Sequence, residues 1–268
     1  MPQSDQETNG FYRQSMELLQ AAELPFLVGG AYAFCVYTGI ARHTKDFDLL
    51  VRPKDFRSAL EVFRHSGCHV EEVHSHWLGK ILQDGEAIDI IFRAGNGLCS
   101  MDDLWFEKAR PAEIFGLQIR LGPPEEMIWM KSFIMERERF DGADVAHLIF
   151  HCAADMDWDR LLSRFGPVWR VLLSHLILFG FIFPSEKDRI PRTILEELLC
   201  RVAESEIDGD RVCRGTLLSR VQYLPDVGEG GLRDARLDAR VGLSWSEIEA
   251  WSEAAEDHVK PLPVSADN

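Results

Sequence analysis

Asp46 and Asp48 stand two apart in the run Thr44-Lys45-Asp46-Phe47-Asp48-Leu49-Leu50-Val51, downstream of a double glycine, Gly29-Gly30. In a strand, alternate side chains share a face, so the two carboxylates project together while Phe47 and Leu49 point to the other side. Carboxylates held this close repel unless a cation sits between them. A hard divalent cation with oxygen ligands meets that need, and Mg²⁺ asks for only one or two carboxylates plus substrate phosphates. A third acid, Asp89, lies in the apolar run Ala87-Ile88-Asp89-Ile90-Ile91-Phe92. That is a poor setting for a lone charge and implies that Asp89 also has a cationic partner.

The elements that must position these acids can be read from periodicity and punctuation. Helical spacing predicts a helix over 11–22, ended by Pro25, then a short buried strand over 26–28. Gly29-Gly30 marks a tight turn into a helix over 31–38, closed by Gly39. A strand over 47–51 follows, then a helix over 54–65 with Pro53 as its first helical residue. Strands are expected over 69–73, 77–82 and 87–92, the last two joined by a turn at Asp84-Gly85, and a small hairpin over 114–120. After Gly122-Pro123-Pro124 the period changes to helical, with helices over 125–138, 143–152, 158–164, 167–183 and 192–203. Residues from about 204 to 240 show little periodicity and are expected to be loop. A last helix over 245–255 would be capped by Ser244. The expected organisation is an α/β core over 1–122, a helical domain over 123–204 and an irregular C-terminal region over 205–268.

Composition narrows the function classes. The chain has 268 residues, 46% of them hydrophobic, with 16 Phe and 7 Trp, enough for a real core. A net charge of −15 argues against broad nucleic-acid binding, which rests on Lys and Arg contacts to phosphates. Six scattered cysteines with no Cys-x-x-Cys pair read as reduced thiols of a cytoplasmic protein. The N-terminus lacks the basic start and apolar core of a signal peptide. The longest apolar run, 171–183, is shorter than a bilayer crossing and reads as a buried helix, so no membrane partner is expected.

Gly-Gly at a helix start, then Arg42-His43-Thr44-Lys45-Asp46-Phe47-Asp48-Leu49, then a distant strand aspartate, resembles the nucleotidyltransferases of the DNA polymerase β superfamily. The likeness is to the small bacterial branch that includes antibiotic-modifying enzymes and the toxins of toxin–antitoxin and abortive-infection pairs. It covers residues 26–92, and more loosely 125–150. There Lys131, followed by Arg137, Arg139, Asp141 and Asp144, resembles the Lys-plus-"R-x-K-D-x-x-D" helices that follow the catalytic half. The resemblance implies an α+β fold: a mixed sheet flanked by helices, then a mostly helical C-terminal half.

It also implies a chemistry. Asp46 and Asp48 would hold two Mg²⁺ ions, with Mn²⁺ as an alternative, and Asp89 would be a further metal ligand that helps take the acceptor proton. A nucleoside triphosphate would be the substrate and pyrophosphate would leave. Gly29 and Gly30 would let the backbone approach the phosphates, and Arg42, Thr44, Lys45 and Lys131 are candidate phosphate contacts. A salt-bridge network is the reading preferred for Arg137, Arg139, Asp141 and Asp144. The acceptor, a small molecule, a tRNA end or a protein side chain, is not specified. The competing expectation is a nucleotide- or partner-binding module that has lost turnover, with a cognate antitoxin as its partner.

Two other signals are set aside. His65, Cys68, His69, His74 and His76 straddle a turn and a strand without any established zinc spacing. The run Asp155-Met156-Asp157-Trp158-Asp159 imitates a calcium loop but has Arg160 at the required glycine. Asp157 is expected instead to cap the following helix.

Overall fold

The computed structural model describes residues 3–42, 44, 46–205, 209–228 and 230–256. In chain order, the α/β half holds α1 (Gln3–Ala21), β1 (Leu27–Val28), α2 (Gly30–Thr38), β2 (Asp46–Leu50) and α3 (Phe56–His65). It continues with β3 (His69–His74), β4 (Leu78–Gln83), β5 (Glu86–Ile91), α4 (Asp103–Glu107), β6 (Arg110–Ile114) and β7 (Leu117–Leu121). The strands form one mixed sheet in the order β3-β4-β5-β2-β1-β7-β6. β2 runs parallel to β5 and antiparallel to β1, and β1 runs parallel to β7.

The pleat of β2 separates chemistry from core. Phe47 and Leu49 are fully buried. Phe47 stacks on Tyr12 of α1 and meets Tyr32 of α2 edge-on, with ring centroids 4.8 Å apart in both cases. Each such aromatic pair adds roughly 0.5–1.5 kcal/mol beyond its buried area. Those contacts fix which face of β2 is turned to the cleft, because a slip of one residue would exchange the two faces.

The helical half follows Gly122-Pro123 and comprises α5 (Pro124–Lys131), α6 (Gly142–Cys152), α7 (Trp158–Phe165), α8 (Trp169–Ile182) and α9 (Arg192–Glu204). Asp157 caps α7 as expected, its Oδ1 accepting the Arg160 N–H at 3.0 Å. The helix expected over 125–138 stops at Lys131. Past that point the Met135 N–H donates to the Leu218 carbonyl, and the Glu136 carboxylate accepts from Ser219 Oγ and pairs with Arg220. These long-range bonds replace the helical ones. Pro53 opens a turn, and α3 starts only at Phe56. The run over 171–183 is helical, but only one face of α8 is buried: Leu172, Leu176 and Phe179 are covered, while Ile177, Phe181 and Ile182 are exposed. The longer stretch Trp158–Ile182 has the length and hydropathy of a membrane span. It is divided at Gly166, where φ is +48°, and a 3₁₀ turn separates α7 from α8.

The region after 205 contains short elements: β8 (Val212–Cys213), α10 (Leu224–Val227), β9 (Arg233–Asp234) and α11 (Trp245–Glu256). It is tied to both halves. Asn96 Nδ2 donates to the Leu217 carbonyl at 2.9 Å and Arg93 Nη1 to the Val241 carbonyl at 3.3 Å. Arg236, wholly buried, is clamped by Asp234, which also accepts from Thr216 Oγ1. Ser244 caps α11 as expected, accepting the Glu247 N–H and donating to the Glu247 carboxylate.

Candidate active site

Pairing between β2 and β5 places Asp48 directly opposite Asp89, with Asp46 one pleat away opposite Ala87. All three acids line one cleft of about 640 Å³, together with Gly30, Ala31, Arg42, Thr44, Lys131 and Arg139. Gly29 is the N-cap of α2, and its N–H donates to the Asp48 carbonyl at 3.0 Å. The N-terminus of α2 therefore opens into the cleft beside the acids, where its free N–H groups favour an anion.

Gly30 is required there for two reasons. Its φ is +52°, and a Cβ built on it would fall on the Asp48 carboxylate. Gly30→Ala is expected to lower stability by about 1–2 kcal/mol from the backbone alone, and by more from the clash. Gly39→Ala is the control, because φ is +70° there and the space is open. Urea midpoints of the two variants check this, with the Gly30 variant the less stable.

The carboxylates differ in their partners. Among the described residues, the Asp48 carboxylate has no hydrogen bond or ion pair. Burial in the cleft, with Asp89 and Asp46 adding repulsion, pushes its pKa up to about 6, although Lys131 and Arg139 pull the other way. Asp89 accepts from Lys80 Nζ at 2.7 Å, and the same ammonium stands 3.5 Å from Asp46 Oδ1. Burial raises the Asp89 pKa against the pull of Lys80. Burial opposes the charge on Lys80, but Asp89 and Asp46 outweigh it and hold the ammonium above its usual value.

Among the described residues, no group of three or more His, Cys, Asp or Glu side chains is arranged to hold a metal ion. The three aspartates are thus not a preformed cage. A hard cation still fits at Asp48, because an unpartnered carboxylate with acidic neighbours lacks the counter-charge that such an ion brings.

The remaining expected contacts are distributed as follows. Lys131 Nζ donates to Asp141 at 3.0 Å and Asp144 at 2.8 Å, which leaves one of its three N–H groups uncommitted. Arg42 pairs with Asp144 at 2.5 Å and lies over the Phe34 ring. Arg139 pairs with Asp141, so that Arg139, Asp141 and Asp144 form the expected network, whereas Arg137 lies apart with Glu138. The Thr44 hydroxyl donates to the Asp46 carbonyl at 2.9 Å, which fixes the start of β2. Lys45 lies outside the described residues.

Sequence reasoning missed Lys80 and four residues of the cleft wall, Trp77, Leu218, Arg220 and Trp251. Trp251 sits close against Gly95, where a Cβ would meet the indole at 2.7 Å.

A family model described as "Uncharacterised nucleotidyltransferase" matches residues 12–167, more than half of the chain. No curated protein sequence matches it. Solved structures resemble it at a distance. The antibiotic-resistance factor ANT(2'')-Ia is 16% identical over 64% of this chain and 97% of that chain, with a TM-score of 0.44. JHP933 from Helicobacter pylori is 13% identical over 76% and 97%, with a TM-score of 0.41. An antigenic nucleotidyltransferase-like protein from Paracoccidioides brasiliensis is 14% identical over 69% and 92%, with a TM-score of 0.42. All three scores fall below 0.5, so these likenesses carry no argument.

Proposed function

The chain belongs to this uncharacterised nucleotidyltransferase family, of the DNA polymerase β type, and from that premise we propose that it moves a nucleoside monophosphate from a triphosphate to an acceptor hydroxyl. The observation that carries the reading is the register pairing of Asp48 with Asp89 beside the Gly30 elbow and the N-terminus of α2. In this reading, the acceptor oxygen forms a bond to the α-phosphorus, the bond to the β-phosphate oxygen breaks, and pyrophosphate leaves. Asp89, oriented by its hydrogen bond from Lys80, takes the acceptor proton.

The α2 amides and the spare N–H of Lys131 hold the phosphates, with Arg42 and Arg139 supplying positive charge at the lip. Thr44 acts at the same edge, and Lys45 is proposed from the sequence alone as a further phosphate contact. Asp46 and Asp48 would hold the divalent ion. When bound, such an ion neutralises phosphate charge and acidifies the acceptor hydroxyl. The wall carrying Trp77 and Trp251 would select the acceptor.

Incubation with α-labelled triphosphates, Mg²⁺ and a panel of hydroxyl acceptors (small molecules, tRNA and protein) is expected to label an acceptor and release pyrophosphate, and Asp46→Ala with Asp48→Ala to lower the rate by about 10³-fold or more. A chain that neither turns over nor binds any triphosphate by calorimetry would overturn the reading. One observation favours a second reading. Lys80 already neutralises part of the acidic pair, which suits a module that binds a nucleotide without transferring it. Calorimetric binding without label transfer to any acceptor of that panel would select that module.

A further inference from the structure

Lys80 is placed by the strands themselves. β4 and β5 are joined by a two-residue turn, Asp84-Gly85, with φ values of +52° and +88°. Tight turns of this kind fix the pairing of the strands they join. Gln83 then faces Glu86, and counting back along the ladder sets Lys80 opposite Asp89. Residues opposite one another share a face, so the ammonium must rise on the side that carries the acids.

Its other register partner, Glu71 on β3, pairs with His69 at 2.9 Å and does not compete for it. Neighbouring Ile81 is fully buried, and Gly79 lies close against Leu60 and Phe56, so the backbone at Lys80 is held on both sides. The ammonium thus reaches Asp89 at 2.7 Å and Asp46 at 3.5 Å, while Asp48 has no partner among the described residues.

We infer that Lys80 stands in for one of the two cations, so that the cleft takes a single divalent ion on Asp46 and Asp48 while Asp89 stays with the ammonium. This rests on the proposed nucleotidyl transfer. A fixed positive charge bonded to Asp89 at 2.7 Å repels a second divalent ion at the same carboxylate. An ammonium also cannot replace the metal at Asp48, which lies beyond its two contacts. Lys80 is therefore a positioning residue: it orients Asp89 and sets the ion count.

The test is to soak crystals of the full chain with Mn²⁺ and a non-hydrolysable triphosphate and to count anomalous peaks. The wild type is expected to show one peak, at Asp46 and Asp48, and none at Asp89. Lys80→Met is expected to gain a second peak at Asp89, and Lys80→Arg, which keeps the charge, to keep one. Two peaks in the wild type, or one peak in both the wild type and Lys80→Met, would overturn the inference and leave the transfer reading standing. With no peak in any of them, the proposed metal-dependent transfer fails as well. If Lys80→Met does not fold, Lys80→Gln takes its place under the same criterion, and two wild-type peaks overturn the inference without either variant.

Discussion

Asp48→Asn is expected to abolish transfer and, in the metal-free protein, to raise stability above pH 6. Asp48 titrates at about 6 in the folded chain against an ordinary value of 3.8. The folded state therefore keeps a proton over a window in which the unfolded chain has released it. That binding favours folding at low pH, and the advantage disappears as pH rises through about 6. Above this window the bare carboxylate costs up to ~3 kcal/mol, from ~1.4 kcal/mol per pKa unit. Asparagine carries no such charge. The gap between variant and wild type should open between about pH 4 and 6 and then level off. Thermal melts across that range, without metal, check it. Added Mg²⁺ should raise the wild-type melting temperature and leave the variant unmoved. The transfer rate should fall by about 10³-fold or more. A gap that fails to open, or closes as pH rises, would refute this account of Asp48.

The largest loss of stability is expected at a position outside the cleft. Glu126, in the first turn of α5, is fully buried, and its carboxylate accepts from Arg160 at 2.6 Å and from Arg164 at 3.0 Å. Glu125 beside it pairs with Arg160 at 2.7 Å and accepts the Asp157 N–H. The clamp joins the start of α5 to α7, and α5 carries Lys131 at its other end. Glu126→Ala leaves two guanidinium groups short of a partner in a covered site, which typically costs 3–5 kcal/mol. For a chain of this size the melting temperature should drop by on the order of 10 °C. Arg164→Leu should cost less, because Glu126 keeps Arg160 and the other partner of Arg164, Asp102, is half exposed. Equal losses in the two variants would show that the clamp is not centred on Glu126.

The parts of the molecule that were legible in the sequence are those governed by local rules. Alternation along β2 separated Asp46 and Asp48 from Phe47 and Leu49, and the observed burial follows that division. Gly39 closing α2, Asp157 capping α7 and Ser244 capping α11 are local hydrogen-bonding patterns that a sequence displays directly. The family resemblance, read on residues 26–92 and loosely 125–150, falls within the stretch 12–167 that the family model matches. Lys80 was within reach: once the turn at Asp84-Gly85 is recognised, counting outward sets it across from Asp89.

The end of α5 at Lys131 was not within reach. The segment Glu136–Glu138 has helical composition, and what stops the helix is bonding to Leu218 and Arg220, more than eighty residues downstream. For the same reason the docked stretch over about 204–240 reads as loop. Its order comes from contacts such as Asn96 to Leu217 and Gly95 to Trp251, and periodicity does not register such contacts.

That docked region has a consequence for when the cleft is completed as the chain is made. The acids, the glycine elbow and Lys131 all emerge from the ribosome early, yet Leu218, Arg220 and Trp251 complete the lining of the cavity. Domains begin to fold during synthesis, and pairings between distant segments form late. A nascent chain would therefore carry the acids, the glycine elbow and Lys131 beside an unfinished cavity, which closes only when Trp251 has left the ribosome.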